Sequence, residues 1–137
     1  MKLRDVLLAL GGEVITSAFD PDVDVRVACG ADLMSDVLAF AHQDATLVLT
    51  GLTNPQVVKT AEVASVAAVV FVRGKVPPRE TVELAEQKGI PLIRTNCSMF
   101  EACGRLYSLG MESCDVRGPE REAISKSLAE LRTGLSS

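Results

Sequence analysis

The chain has 137 residues, with 14 basic and 18 acidic side chains, one His, four Cys, no Trp and 47% hydrophobic residues. This is enough chain to bury one core well and too little for two, and a mean hydropathy of +0.25 with 23% charged residues argues against disorder. The longest apolar run, Val66 to Val72, falls far short of the roughly 18 residues that span a bilayer. With a net charge of −4 and only Arg73, Lys75 and Arg79 approaching a basic patch, nucleic acid is a poor partner and small anions remain candidates.

Residues 1–58 hold eight acids and three bases, whereas residues 59–137 hold ten acids and eleven bases. The N-terminus, Met1 to Leu10, reads as a first helix with Leu3, Val6, Leu7 and Leu10 on one face and Gly11-Gly12 as its stop. Its apolar stretch is short for an export signal and Gly11-Gly12-Glu13 is a poor cleavage site, so the expected location is the reducing cytoplasm, with four free thiols.

Helix and strand patterns then alternate with short connections, which predicts an α/β layered fold with a mostly parallel sheet of about five strands. Glu13 to Thr16 reads as a short strand. Val23, Val25 and Val27 alternate with Asp24 and Arg26 as a half-exposed strand ending near Cys29-Gly30. Asp32, as N-cap, opens a helix to Ala41 with Leu33, Val37, Leu38 and Ala41 inward. Leu47 to Leu49 is a buried strand stopped by Thr50-Gly51, and Asn54-Pro55 opens a helix that turns Val57, Val58, Ala61 and Val66 inward.

Ala67 to Val72, the most apolar segment, is the expected sheet centre. Pro77-Pro78 and Gly89 bracket a helix from Arg79 to Lys88, and Ile90 to Ile93 is a further strand. Ser98-Met99-Phe100-Glu101 has capping-box spacing and starts a helix to about Leu109-Gly110. The division expected is a domain over residues 1–111, then a linker and a C-terminal amphipathic helix over 112–137, whose Ile124, Leu128 and Leu131 share a stripe.

Several motifs fail their chemical requirements. The Asp20, Asp22, Asp24 series lacks the Gly and the twelfth-position Glu of a calcium loop. Gly74-Lys75 lacks the earlier glycine of a phosphate loop. His42 is the only histidine, near a helix C-terminus where a capping role suits it, and no nucleophile–base–acid set accompanies it. Cys29, Cys97, Cys103 and Cys114 contain no C-x-x-C pair. Cys97, just before a helix start, is the one thiol placed where a helix dipole favours the thiolate.

In a parallel α/β sheet, ligands sit beyond the carboxyl ends of strands. Those ends carry Thr50-Gly51, Arg73-Gly74-Lys75 and Thr95-Asn96, with Ser98 at the following helix start. These eight residues are the candidate ligand-binding set: Arg73 and Lys75 as charge partners for a small anion, Thr50, Thr95 and Asn96 as hydrogen-bonding groups.

The order of Asp32-Leu33-Met34-Ser35-Asp36-Val37-Leu38, Leu49-Thr50-Gly51, Val69 to Gly74, Gly89 to Ile93 and Phe100-Glu101-Ala102 resembles a DRTGG domain over about residues 1–111. It is most similar to the small stand-alone members found beside iron-only hydrogenase and NADH-dehydrogenase-like subunits, and more distantly to the N-terminal domain of HPr kinase/phosphorylase. The naming letters are largely replaced: Gly51-Leu52 stands where Asp-Arg is expected and Arg73-Gly74-Lys75 where Thr-Gly-Gly is expected, so only Gly74 matches.

The resemblance implies a dimerising α/β regulatory domain that does not itself catalyse. The expected function is a non-catalytic regulatory or assembly module without a cofactor. It would bind a small anion, a nucleotide or phosphometabolite, or associate with a hydrogenase or other redox complex. The alternative is an iron–sulfur or metal-binding accessory protein using some of the four cysteines. A homodimer is expected, through the last helix or a strand edge.

Overall fold

The computed structural model describes residues 1–41, 45–114 and 118–136. It is a three-layer α/β/α sandwich around one six-stranded sheet of order β1-β5-β4-β3-β2-β6. Strands β2 (Val27–Gly30), β3 (Thr46–Thr50), β4 (Ala68–Phe71), β5 (Leu92–Arg94) and β6 (Glu112–Ser113) run parallel, and only β1 (Glu13–Val14) is antiparallel, on β5. His42 lies outside the described residues.

Side-chain alternation along the strands builds two cores. Val48 of β3, Val69 and Phe71 of β4 and Leu92 of β5 face α2 (Met34–Phe40), α3 (Pro55–Val63) and α4 (Arg79–Lys88). Leu47 and Leu49, Ala68 and Val70, and Ile93 face α1 (Leu3–Leu10) and α5 (Met99–Ser108). Strands buried on both faces are continuous apolar runs, as these sequences are. β3 and β4 together occupy the sheet centre.

The crossovers explain why the helices divide three and two. From β2 to β5 the chain advances across the sheet through α2, α3 and α4 on one face. It then returns through α5 on the opposite face and adds β6 beside β2. Right-handed crossovers require this change of face when the direction reverses. Glu112–Ser113, assigned to a linker by the sequence pattern, thus form a sixth strand, and Cys114 is buried in the core beyond it.

Other boundaries also move. The valine alternation does not make a strand from Val23: β2 starts at Val27, and Val25 is instead buried against the N-terminus, its N–H donating to the Met1 carbonyl (2.8 Å). Helix α2 begins at Met34 with Leu33 at the cap, and Leu33 and Leu38, expected inward, are 61% and 48% exposed. The expected capping box of α5 is half formed: Ser98 Oγ accepts from Glu101 N–H (3.1 Å), while the Glu101 carboxylate pairs with Arg105 Nε (2.9 Å).

Helix α4 matches its sequence limits. Gly89 at φ +67° closes it by donating its N–H to the Ala85 and Glu86 carbonyls, a geometry glycine adopts at low cost. Helix α6 (Gly118–Ser136) carries Ile124 and Leu131 45% and 63% exposed. Among the described residues, no helix is long and apolar enough to cross a membrane.

Candidate functional site

Because β3, β4 and β5 are adjacent and parallel, their carboxyl ends share one rim, and the loops that follow are bonded to one another. The β4–α4 connection opens with two consecutive residues of positive φ, Arg73 (+60°) and Gly74 (+66°), closed by Lys75 N–H to the Val72 carbonyl (3.3 Å). That is the pattern of a tight primed turn. Arg73 N–H donates to the Cys97 carbonyl and Gly74 N–H to the Thr95 carbonyl, both at 2.7 Å, which fastens the turn to the β5–α5 loop. Gly74 suits its φ of +66°, and a Cβ there would lie 2.8 Å from Asn96 Oδ1, an exposed side-chain end that would have to turn aside.

Thr95 is a buried structural tie. Its hydroxyl donates to the Leu10 carbonyl (2.7 Å) and accepts the Cys97 N–H (3.1 Å), joining the end of α1 to the rim. Thr50 plays the same part at the end of β3: its hydroxyl donates to Asp32 Oδ1 (3.2 Å) and accepts the Leu52 N–H (3.1 Å). Asp32 Oδ1 also accepts the Gly51 N–H (2.7 Å). Asp32, expected to cap its own helix, therefore anchors the neighbouring strand end, because the strand order brings β2 and β3 side by side.

The rim consequently has two electrical halves. Thr50 and Gly51 surround a carboxylate, which repels anions. Arg73, Lys75 and Asn96 form an exposed half, and among the described residues the two cations have no ion-pair partner. The structure brings all eight candidate residues to one rim but commits the hydroxyl donors of Thr50 and Thr95 internally, while Ser98 Oγ accepts from Glu101 N–H and keeps its O–H to donate. The backbone amides of residues 73 and 74 are also taken by carbonyls, so the open groups for an anion are the side chains of Arg73, Lys75 and Asn96 and the Ser98 O–H.

The cysteines separate by layer. Cys29 and Cys114 belong to the core under α2, α3 and α4, whereas Cys97 and Cys103 pack with the opposite core. Among the described residues, no group of three or more His, Cys, Asp or Glu side chains converges as a metal site would require. Cys97 Sγ lies 3.7 Å from the Leu10 carbonyl. Burial pushes the Cys103 thiol up from its ordinary value, keeping it protonated.

A second concavity was missed by sequence reasoning. A groove of about 350 Å³ runs between α5 and the β2–β6 edge, lined by Ala28, Gly30, Phe100, Cys103, Gly104 and Tyr107 among others. The available signal was Phe100 and Tyr107, which lie off the inward stripe of Ala102 and Leu106 and are 87% and 51% exposed.

No protein-family model and no curated protein matches the sequence. Among solved structures, the fold is similar to the CBS and DRTGG domains of the regulatory region of a Clostridium perfringens pyrophosphatase, determined with its activator diadenosine tetraphosphate. The TM-score is 0.60 at 16% sequence identity, covering 96% of this chain and 60% of that one. The chain thus spans less than two thirds of its structural neighbour. The α/β architecture foreseen from the alternating pattern is the one observed, and its fold is similar to that CBS and DRTGG region.

Proposed function

We propose that the chain is a non-catalytic regulatory or assembly module of DRTGG type that binds a small anion, a nucleotide or phosphometabolite, at the cationic half of the rim. The observation that carries this reading is the primed turn at Arg73-Gly74, which holds a non-glycine residue at positive φ and presents, beside Asn96, two cations with no ion-pair partner among the described residues. Positive φ at a non-glycine residue also occurs at Ala45 and Ser65 away from the rim, so what singles out this turn is the pair of cations it presents. Arg73 supplies a planar fork for a phosphate or carboxylate, and Lys75 a second point charge. The similarity of fold to a regulatory region whose activator is a dinucleoside polyphosphate supports the same reading.

The finer proposals rest on the sequence resemblance: a cytoplasmic homodimer that accompanies a hydrogenase or NADH-dehydrogenase-like complex. A thermal-shift panel of AMP, ADP, ATP, diadenosine tetraphosphate and pyrophosphate tests ligand binding. Affinity capture from an anaerobic host tests the partner. Stabilisation by at least one anion that disappears in Arg73→Ala is the expected result; no shift with any of them, together with capture of no redox subunit, defeats the proposal.

A further inference from the structure

The groove between α5 and the β2–β6 edge has no part in the anion site. Gly30 and Ser113, the last residues of β2 and β6, both line it. These two strands flank the point where the chain, after advancing from β2 to β5, returns to the other side of β2. In open α/β sheets ligands seat outside the carboxyl ends of the strands at such a reversal, and Gly30 at the end of β2 with Phe100 in the first turn of α5 places one end of the groove there. Its volume of about 350 Å³ suits a small ring system, small-molecule sites running from ~300 to 1,000 Å³.

The lining defines the ligand. Phe100 and Tyr107 are seven residues apart on α5, about two turns, so they bracket the groove from one helix face. Between them lie Cys103 and Gly104. A Cβ on Gly30 would come within 2.9 Å of Cys103 Sγ, so α5 is seated directly on the strand backbone there. A Cβ on Gly104 would meet nothing within 4 Å, which leaves open space in the groove. The lining is mostly apolar, with the Tyr107 hydroxyl, Ser113 and the Glu112 carboxylate as polar groups and the Cys103 thiol turned to Met99 Sδ (3.8 Å), an arrangement for a planar ring with hydrogen-bonding edges.

We propose that this groove binds a planar heteroaromatic ring of the nucleobase class between Phe100 and Tyr107. The β5–α5 loop leads from the rim into α5, since the Cys97 carbonyl, just before the helix, holds the Arg73 N–H. The Asp32 carboxylate at the ends of β2 and β3 lies between the groove and the cations beyond β4 and β5, so the groove is argued independently of the anion reading.

Calorimetry on the full chain separates the two, with adenosine as a ring without an anion and pyrophosphate as an anion without a ring. Tyr107 is the only tyrosine in a chain with no tryptophan, so its emission reports on the groove. Adenosine should bind saturably and quench Tyr107. Gly104→Leu, which fills open space, should weaken adenosine at least about tenfold, as expected for loss of one base–aromatic stacking site, and leave pyrophosphate unchanged. Phe100→Ala should weaken adenosine by a similar factor without moving the urea midpoint, because the ring is exposed.

Adenosine binding without pyrophosphate binding supports the groove and refutes the rim; the converse refutes the groove. Failure of adenosine and guanosine to bind at millimolar concentration overturns the proposal. So does binding indifferent to Gly104→Leu, or a dimer in sedimentation that Phe100→Ala dissociates, which would mean a second copy covers the groove.

Discussion

Replacing Arg73 by glycine should stabilise the protein while impairing its ligand binding. Arg73 sits at φ +60°, held by its N–H to the Cys97 carbonyl at 2.7 Å and by closure of the turn through Lys75. A side chain in the left-handed region costs roughly 1–2 kcal/mol. Glycine removes that cost but enlarges the unfolded ensemble, which returns about 0.4–1 kcal/mol. The net gain is about 0.5–1 kcal/mol, a rise in melting temperature of roughly 2–4 °C for a chain of this length. Arg73→Ala keeps the strained conformation and should leave stability nearly unchanged. Both variants lose the guanidinium, so both should weaken pyrophosphate binding equally. Urea denaturation with calorimetry on the three proteins reads both effects. A glycine variant no more stable than the alanine variant would show that position 73 stores no strain, and the argument from the turn would be wrong.

Thr95→Val should destabilise by about 2–3 kcal/mol, because it strands a buried carbonyl at Leu10 and the Cys97 N–H, whereas Thr95→Ser retains most of the stability; urea midpoints decide. Gly30→Ala should cost about 1 kcal/mol by forcing its Cβ onto Cys103 Sγ and Met99 Sδ, and Cys103→Ala should recover most of that loss in a double-mutant cycle. The Glu86 carboxylate accepts the Ser17 hydroxyl and the Ser17 N–H, both at 2.6 Å, which holds it below the ordinary glutamate range. Its folded value being depressed, its contribution is complete above the unfolded glutamate value and disappears as pH falls through the lower folded one. Glu86→Gln should therefore flatten the acid limb of the stability–pH profile in that window.

Local punctuation made much of this fold legible in the sequence. Pro77-Pro78 and Gly89 fix both ends of α4, since proline presets the entry and glycine takes the left-handed exit. The apolar runs around Leu47 and Val69 announce strands buried on both faces. The elements that escaped depend on partners distant in sequence. Val25 alternates like a strand residue, yet its N–H goes to Met1. Asp32 has the chemistry of a cap, but a parallel neighbour places the Gly51 amide closer to hand.

The site divides in the same way. Polar residues after apolar strands correctly marked the loops beyond three strand ends, and parallel pairing then assembled them into one rim. Which hydroxyls the fold itself uses, as at Thr50 and Thr95, is decided by loops that meet only in three dimensions. The strand order, and with it the groove between α5 and the β2–β6 edge, follows from the return of α5 across the opposite face. No local pattern encodes that return.

The most direct measurement is a calorimetric titration of pyrophosphate into the wild-type chain and into the Arg73→Ala, Lys75→Ala double variant at low and high salt. An anion seated on the exposed half of the rim gives saturable binding that weakens with salt and vanishes in the double variant. Equal binding by both proteins, or none by the wild type, would contradict a rim built to hold an anion.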